Sequence, residues 1–214
     1  MKVLHLSRDT NSGAGRGAYW LHQALQRSGV DSQMLVAGKT IADDSVLGLE
    51  GKANLILNKV RDKLDKLPVN RYPDREDYIF SPAWIAQNIQ PRLSKINPDL
   101  INLHWICGGF LKPENLTQFS QPVVWTLRDM WAFSGGCHYT GTCEKYQQSC
   151  GSCPQLKSSQ ENDLSRKLWQ RKQKAWQDVD LTIVAISHWL ADCAKASPLF
   201  KNRRIEVIHN ALDA

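Results

Sequence analysis

Residues 2–29 read K-V-L-H-L-S-R-D-T-N-S-G-A-G-R-G-A-Y-W-L-H-Q-A-L-Q-R-S-G, and their reading decides the fold. Lys2 to Ser7 is a short apolar run with the length of a buried strand. The loop that follows carries Gly13, Gly15 and Gly17, and the apolar periodicity from about Ala18 to Ser28 predicts a helix ending at Gly29. G-A-G-R-G-A satisfies the pattern G-x-G-x-x-G/A at the opening of a helix, where backbone N–H groups and the helix dipole favour an anion. Two details argue against a dinucleotide. Arg8 to Ser12 lengthen the strand-to-glycine turn, and the second strand ends Val36-Ala37-Gly38-Lys39 with no acid for a ribose hydroxyl. Two readings stay open: a phosphate-facing loop of another kind, or glycines that only supply a flexible connection.

Working outward, Gln33 to Ala37 reads as a second strand. Pro98-Asp99 introduces L-I-N-L-H-W, and Gln121-Pro122 introduces V-V-W-T-L. Later come a long polar helix with Trp169 and Trp176, the strand L-T-I-V-A-I, a helix opening at Ser187 and a last strand I-E-V-I. Strands alternating with helices predict an α/β fold, a Rossmann-like doubly wound parallel sheet that binds ligands at the carboxyl ends of its strands. The candidate positions are therefore Ser7 to Gly17, His104, Arg128 and Ser187. Residues 41–91 fit this alternation least and form a helical excursion. Within it, Ala53, Leu57, Val60, Leu64 and Leu67 make an apolar stripe bordered by Lys52, Lys59, Arg61, Lys63 and Lys66. The expected arrangement packs the stripe on the domain and leaves the lysines solvated. The alternative lays a basic amphipathic helix on an anionic membrane.

The most distinctive segment spans residues 134–157, where Cys137, Cys143, Cys150 and Cys153 share one loop with His138 and close as C-G-S-C-P. A C-x-x-C turn lets two thiolates point at one ion, and a polar, Gly-rich segment with few apolar residues gains order from a metal. The expectation is a structural zinc on these four cysteines, against two disulfides or four free thiols. Met1-Lys2 runs directly into a strand with no secretory leader, which favours a reducing, cytoplasmic compartment.

At 214 residues and a formal charge of +6, the chain is long enough for one domain with a substantial core. No apolar run approaches the ~20 residues that cross a bilayer, and no repeat or low-complexity tract occurs. Membrane-spanning and fibrous classes are thereby set aside. Basic charge with several tryptophans fits single-stranded nucleic acid in principle. The tryptophans, however, sit in apolar runs where core packing is the default, so no nucleic-acid partner is expected.

The glycine loop, N-L-H-W, V-V-W-T-L-R-D-M-W-A-F-S-G-G-C-H-Y, the C-G-x-C-P closure, A-I-S-H-W-L and V-I-H-N-A-L-D together resemble the N-terminal half of a bacterial family 4 glycosyltransferase of the GT-B type. The resemblance covers essentially the whole chain. It implies a retaining enzyme that moves a sugar from a nucleotide diphosphate sugar to a saccharide or lipid-linked acceptor in cell-surface polysaccharide assembly, without a catalytic metal. It implies further that residues 1–214 are one acceptor-side domain. A C-terminal domain holding the nucleotide sugar through an E-x7-E pair is then missing, and the chain alone is inactive. Cytoplasmic location follows, with peripheral contact at the inner membrane face. Gly13, Gly15, Arg16 and Gly17 are expected to face the donor diphosphate, Arg128 and Asp129 to line the cleft near the reacting sugar, and His104 and Ser187 to be candidate substrate contacts. A buried, hydrogen-bonded role for His104, and an N-cap role for Ser187, stand as alternatives. Two positions depart from the family pattern: Arg128 stands where a histidine is common, and Asn210-Ala211-Leu212-Asp213 replaces N-G-x-D.

Overall fold

A computed structural model describes residues 1–49 and 51–210. Seven strands form one sheet: β1 (Lys2–Ser7), β2 (Asp31–Gly38), β3 (Val46–Leu49), β4 (Leu100–Leu103), β5 (Val123–Leu127), β6 (Leu181–Ala185) and β7 (Ile205–Val207). Their order is β3-β2-β1-β4-β5-β6-β7, and every neighbouring pair is parallel. The expected Rossmann-like doubly wound sheet is therefore present. The order reverses between β1 and β4, where Val3 pairs with Leu100 and Leu6 with Leu103. A crevice opens beyond the carboxyl ends of the strands at such a reversal, because the connections leave in opposite directions.

Among the described residues five α-helices accompany the strands: α1 (Gly13–Arg27), α2 (Lys52–Asp65), α3 (Gln90–Ile96), α4 (Leu164–Trp176) and α5 (His188–Ala196). Alternation along the strands divides the core. Leu4, Leu6, Leu35 and Ala37 point into the main cluster with Ile101, Leu103, Leu127 and Ile183. Met34, Val36 and Val46 pack under Ala18 of α1 on the opposite face. His5 belongs to the α1 side as well, 5.8 Å from the His22 ring.

Helix α1 begins five residues earlier than the periodicity predicts, so the glycine motif is its first turn. The cause is local hydrogen bonding. Asp9 Oδ1 accepts from the backbone N–H groups of Asn11 (2.9 Å) and Ser12 (2.7 Å), and Ser12 Oγ accepts from Gly15 N–H (3.0 Å). Strand β3 and helix α3 lie in stretches the pattern left unassigned. β3 is a four-residue edge strand that Gly48 interrupts, which leaves no apolar run to read.

The cysteine-bearing segment differs from its expectation. The four cysteines carry free thiols. Cys137 and Cys153 lie in contact, and the Cys137 thiol donates to Cys153, which raises the first thiol's pKa and lowers the second's. Among the described residues, no three His, Cys, Asp or Glu side chains are grouped to hold a metal ion, so a structural zinc on Cys137, Cys143, Cys150 and Cys153 is not supported. The premise that the segment cannot bury a core fails for a physical reason. Cys137, Cys153 and Leu156 form a small apolar cluster with Val69 and Phe80 of the preceding excursion. Backbone and side-chain bonds complete the hold: Ser81 N–H donates to Gly136 O (3.0 Å), Cys153 N–H to Asp163 Oδ2 (2.8 Å), and the buried Lys172 ammonium to the carbonyls of Trp131 and Ser134. Lys172 Nζ also sits 3.6 Å from the centre of the Trp131 ring, and burial draws its pKa down to about 7.

Candidate active site at the carboxyl ends of the strands

A cavity of about 790 Å³ opens beyond β1, β4, β5 and β6. Arg8, Asp9, Ser12, Gly13 and Ala14 form one wall, Arg128 and Asp129 the floor, and Ile186 and Asn210 a far edge. The remaining wall combines His138 and Tyr139 with Asp77, Tyr78 and Ile79. These two segments arrive together because Phe80 and Cys137 form an antiparallel bridge, which sets the excursion against the cysteine segment.

The glycine wall is built for close approach. A Cβ on Gly15 would lie 2.4 Å from Asp9 O, and one on Gly17 would lie 2.6 Å from Arg128 Nη1. Gly15 thus lets the Asp9 turn close over α1, and Gly17 leaves room for a guanidinium. Helix geometry gives the amides of Gly13 and Ala14 no intrahelical acceptor, so the cavity borders a positive helix end. Gly13 lines the space directly. Arg16 is exposed on α1 and is not among the lining residues, while Gly15 and Gly17 shape the wall from behind.

Arg128 is held from two sides. It donates to Asn210 Oδ1 and, through Nη2, to His104 Nδ1 at 3.4 Å, and its Nε is buried with no protein partner. Burial lowers its pKa to about 10, which still leaves it charged near neutral pH. A guanidinium only donates, so His104 Nδ1 must be bare and its proton must sit on Nε2. Nε2 lies 3.0 Å from His5 Nδ1, which therefore accepts, and the His5 proton sits on an Nε2 that has no partner. Both rings stay neutral: burial first, then neighbouring rings and Arg128, lowers His5 to about 3 and holds His104 well below the usual histidine range. His104 is buried behind Arg128 and is not among the cavity's lining residues, so its observed place is the hydrogen-bonded one. Ser187 caps α5, its Oγ accepting from Leu190 N–H at 3.2 Å, and is likewise absent from the lining.

Asp129 commits both oxygens. Oδ1 accepts from Trp131 N–H (2.8 Å), and Oδ2 lies 2.6 Å from His138 Nδ1, a contact that places the ring proton on Nδ1. His138 Nε2 then accepts from Ser81 Oγ (2.8 Å). The carboxylate fixes the His138 ring that faces the cavity. Of the residues that make this wall, Asp77, Tyr78 and Ile79 lie in no motif, so sequence patterns had no means of finding them, while Tyr139 ends the family-like run 123–139 with no role read for it. His138 was legible as a neighbour of the cysteines and as a member of the family-like run 123–139. Arg8, beside the Trp105 ring at 5.9 Å, falls within the candidate stretch Ser7 to Gly17 but had no role read for it beyond lengthening the turn.

A parallel sheet with its order reversed between β1 and β4, and a cleft at the strand ends lined by Arg8, Arg128 and three aspartates, has the architecture of one Rossmann-like half of a GT-B protein. The Glycosyltransferase Family 4 signature matches residues 11–214, and the chain belongs to that family. It is also similar to WcaC of Escherichia coli (strain K12), whose name describes a glycosyl transferase of colanic acid biosynthesis, at 24% identity over 130 residues. That match covers 54% of this chain and 32% of WcaC, so the matched part spans about a third of the relative's length. Among the described residues no helix is long and apolar enough to cross a membrane.

Proposed function

We propose that this chain is the acceptor-side domain of a retaining glycosyltransferase that takes a sugar from a nucleotide diphosphate sugar and places it on a saccharide or lipid-linked acceptor in cell-surface polysaccharide synthesis. The observation that carries the reading is the pairing of Arg128, its Nε without a protein partner, with the open first turn of α1 across one cavity. Two oxygens of a diphosphate fit these donors: the Gly13 and Ala14 amides on one side and the guanidinium on the other. In transfer, negative charge builds on the departing diphosphate, and a fixed guanidinium stabilises it without reorganisation. Asp129 serves as a positioning residue for His138, because neither of its oxygens is free. Tyr78, Ile79 and Tyr139, exposed along the opposite wall, offer an apolar and aromatic face for the acceptor sugar. A second domain closing over the cavity would supply the base and ribose contacts. The reaction belongs at the cytoplasmic side of a membrane, and the name of WcaC supports the polysaccharide pathway class.

The test is calorimetric titration of nucleotide diphosphate sugars into the full-length enzyme and its Arg128→Met variant. Losing a charge-assisted contact worth about 1.5–3 kcal/mol lowers affinity for the diphosphate by roughly 10- to 150-fold. Equal affinity in both proteins would remove Arg128 from the donor site and the reading with it.

A further inference from the structure

Helix α2 is mounted with its polar face inward. Asn58 Nδ2 donates to Ala37 O (2.8 Å), Arg61 packs over Gly109, Asp62 pairs with Arg8 (3.6 Å), and the buried Asp65 accepts from Trp84 N–H (2.9 Å) and Ile85 N–H (3.2 Å). The apolar stripe consequently faces out: Ile56 is 61% exposed, Leu57 41%, Val60 44%, Leu64 44%, and Leu67 just beyond the helix 47%. This reverses the expectation that the stripe packs on the domain. At 100° per residue, Lys52, Lys59, Lys63 and Lys66 fall together along one flank of that stripe, and all four are exposed. Trp84, 48% exposed, lies at its C-terminal end with its indole N–H held by Leu64 O at 2.9 Å.

We infer that this face docks the protein on an anionic lipid surface. Charge complementarity selects the occupant. A row of lysines beside an outward apolar arc matches acidic headgroups above acyl chains, and a tryptophan with an anchored N–H suits the boundary between them. A second cavity of about 440 Å³ lies beside the C-terminal end of α2, lined by Asp62, Asp65 and Lys66, and it shares Arg8, Tyr78, Ile79 and Trp105 with the main cavity. Docking on α2 therefore brings a bilayer next to a route into the site. That the acceptor travelling it is lipid-linked rests on the transfer reaction proposed above, whereas the docking itself does not.

Co-sedimentation with vesicles tests the docking separately from any donor or transfer measurement. The chain is expected to bind equimolar phosphatidylglycerol–phosphatidylcholine vesicles at low salt, to release as salt rises, and to leave phosphatidylcholine vesicles largely unbound. Replacing Lys52, Lys59 and Lys63 with alanine weakens partitioning on the order of a hundredfold. Val60→Glu with Leu64→Glu abolishes it while keeping the parent melting temperature, since both side chains face solvent. No sedimentation with the anionic vesicles, or equal binding by parent and both variants, overturns the inference. So does self-association that the Val60→Glu, Leu64→Glu pair dissolves while vesicle binding persists, which would make the face a contact between copies.

Discussion

Gly17 and Arg128 are fitted to each other: the guanidinium occupies the space a Cβ at residue 17 would take, 2.6 Å from Nη1. The third glycine of the motif thus serves the strand end of β5 rather than a ligand of its own.

Gly17→Ala separates these roles. Alanine is favoured over glycine by about 1 kcal/mol inside a helix, so stability should hold or rise slightly once Arg128 shifts. Affinity of the full-length enzyme for nucleotide diphosphate sugar should fall at least several-fold. Calorimetry and thermal melting on the same variant check both, and unchanged affinity would show that Arg128 is not set by Gly17.

The buried pair of His5 and His104 makes stability sensitive to mild acid. Both pKa values lie below the unfolded value near 6.5, so the unfolded chain takes up protons that the folded chain refuses. Their contribution is complete above about pH 6.5 and is lost progressively as pH falls toward 3. One unit below 6.5 the loss is ~1.4 kcal/mol for each ring. Melting temperatures from pH 7.5 to 5 should fall, and His104→Gln, which keeps an acceptor for Arg128, should flatten the slope, with His5 and the likewise depressed His22 left to contribute the rest. A slope unaltered by that substitution would assign the acid loss to other groups.

Asp163 joins α4 to the cysteine segment, accepting from Ser165 N–H (2.9 Å), Arg166 N–H (3.1 Å) and Cys153 N–H (2.8 Å). Asp163→Ala removes a helix cap and strands a buried amide, for a loss of about 2–4 kcal/mol. Cys153 should also become quicker to alkylate. Chemical denaturation and timed thiol labelling measure the two effects.

Apolar packing and these hydrogen bonds tie the cysteine segment to its neighbours. A strong chelator should leave the melting temperature unchanged, and all six cysteines should titrate as free thiols after denaturation. One zinc per chain, with a lower melting temperature after its removal, would show that the thiolates gather around an ion.

Much of the sheet was legible because short apolar runs mark buried parallel strands: β1 and β6 carry the run itself, and β4 and β5 add a proline just before it, at Pro98 and Pro122. Edge strand β3 escaped because Gly48 interrupts its four residues and leaves no apolar run. At the site, Gly13, Arg128 and Asp129 were found by their positions after strands. Tyr78 and Ile79 were not, since an antiparallel bridge between Phe80 and Cys137, distant in sequence, puts them on the wall beside Tyr139.

By itself the sequence determined the alternation of strands and helices, hence a parallel sheet with its chemistry at the carboxyl ends, and a signature sufficient for membership of Glycosyltransferase Family 4. Periodicity also determined that α2 has two faces. Only the tertiary structure decided which one turns inward, because Asn58, Asp62 and Asp65 found partners on Ala37, Arg8 and Trp84 and left the leucines to solvent. It likewise decided that His104 supports Arg128 from behind and that Cys137 and Cys153 lie in direct contact. Each of these outcomes depends on contacts between segments far apart in the chain, and local spacing carries no record of them.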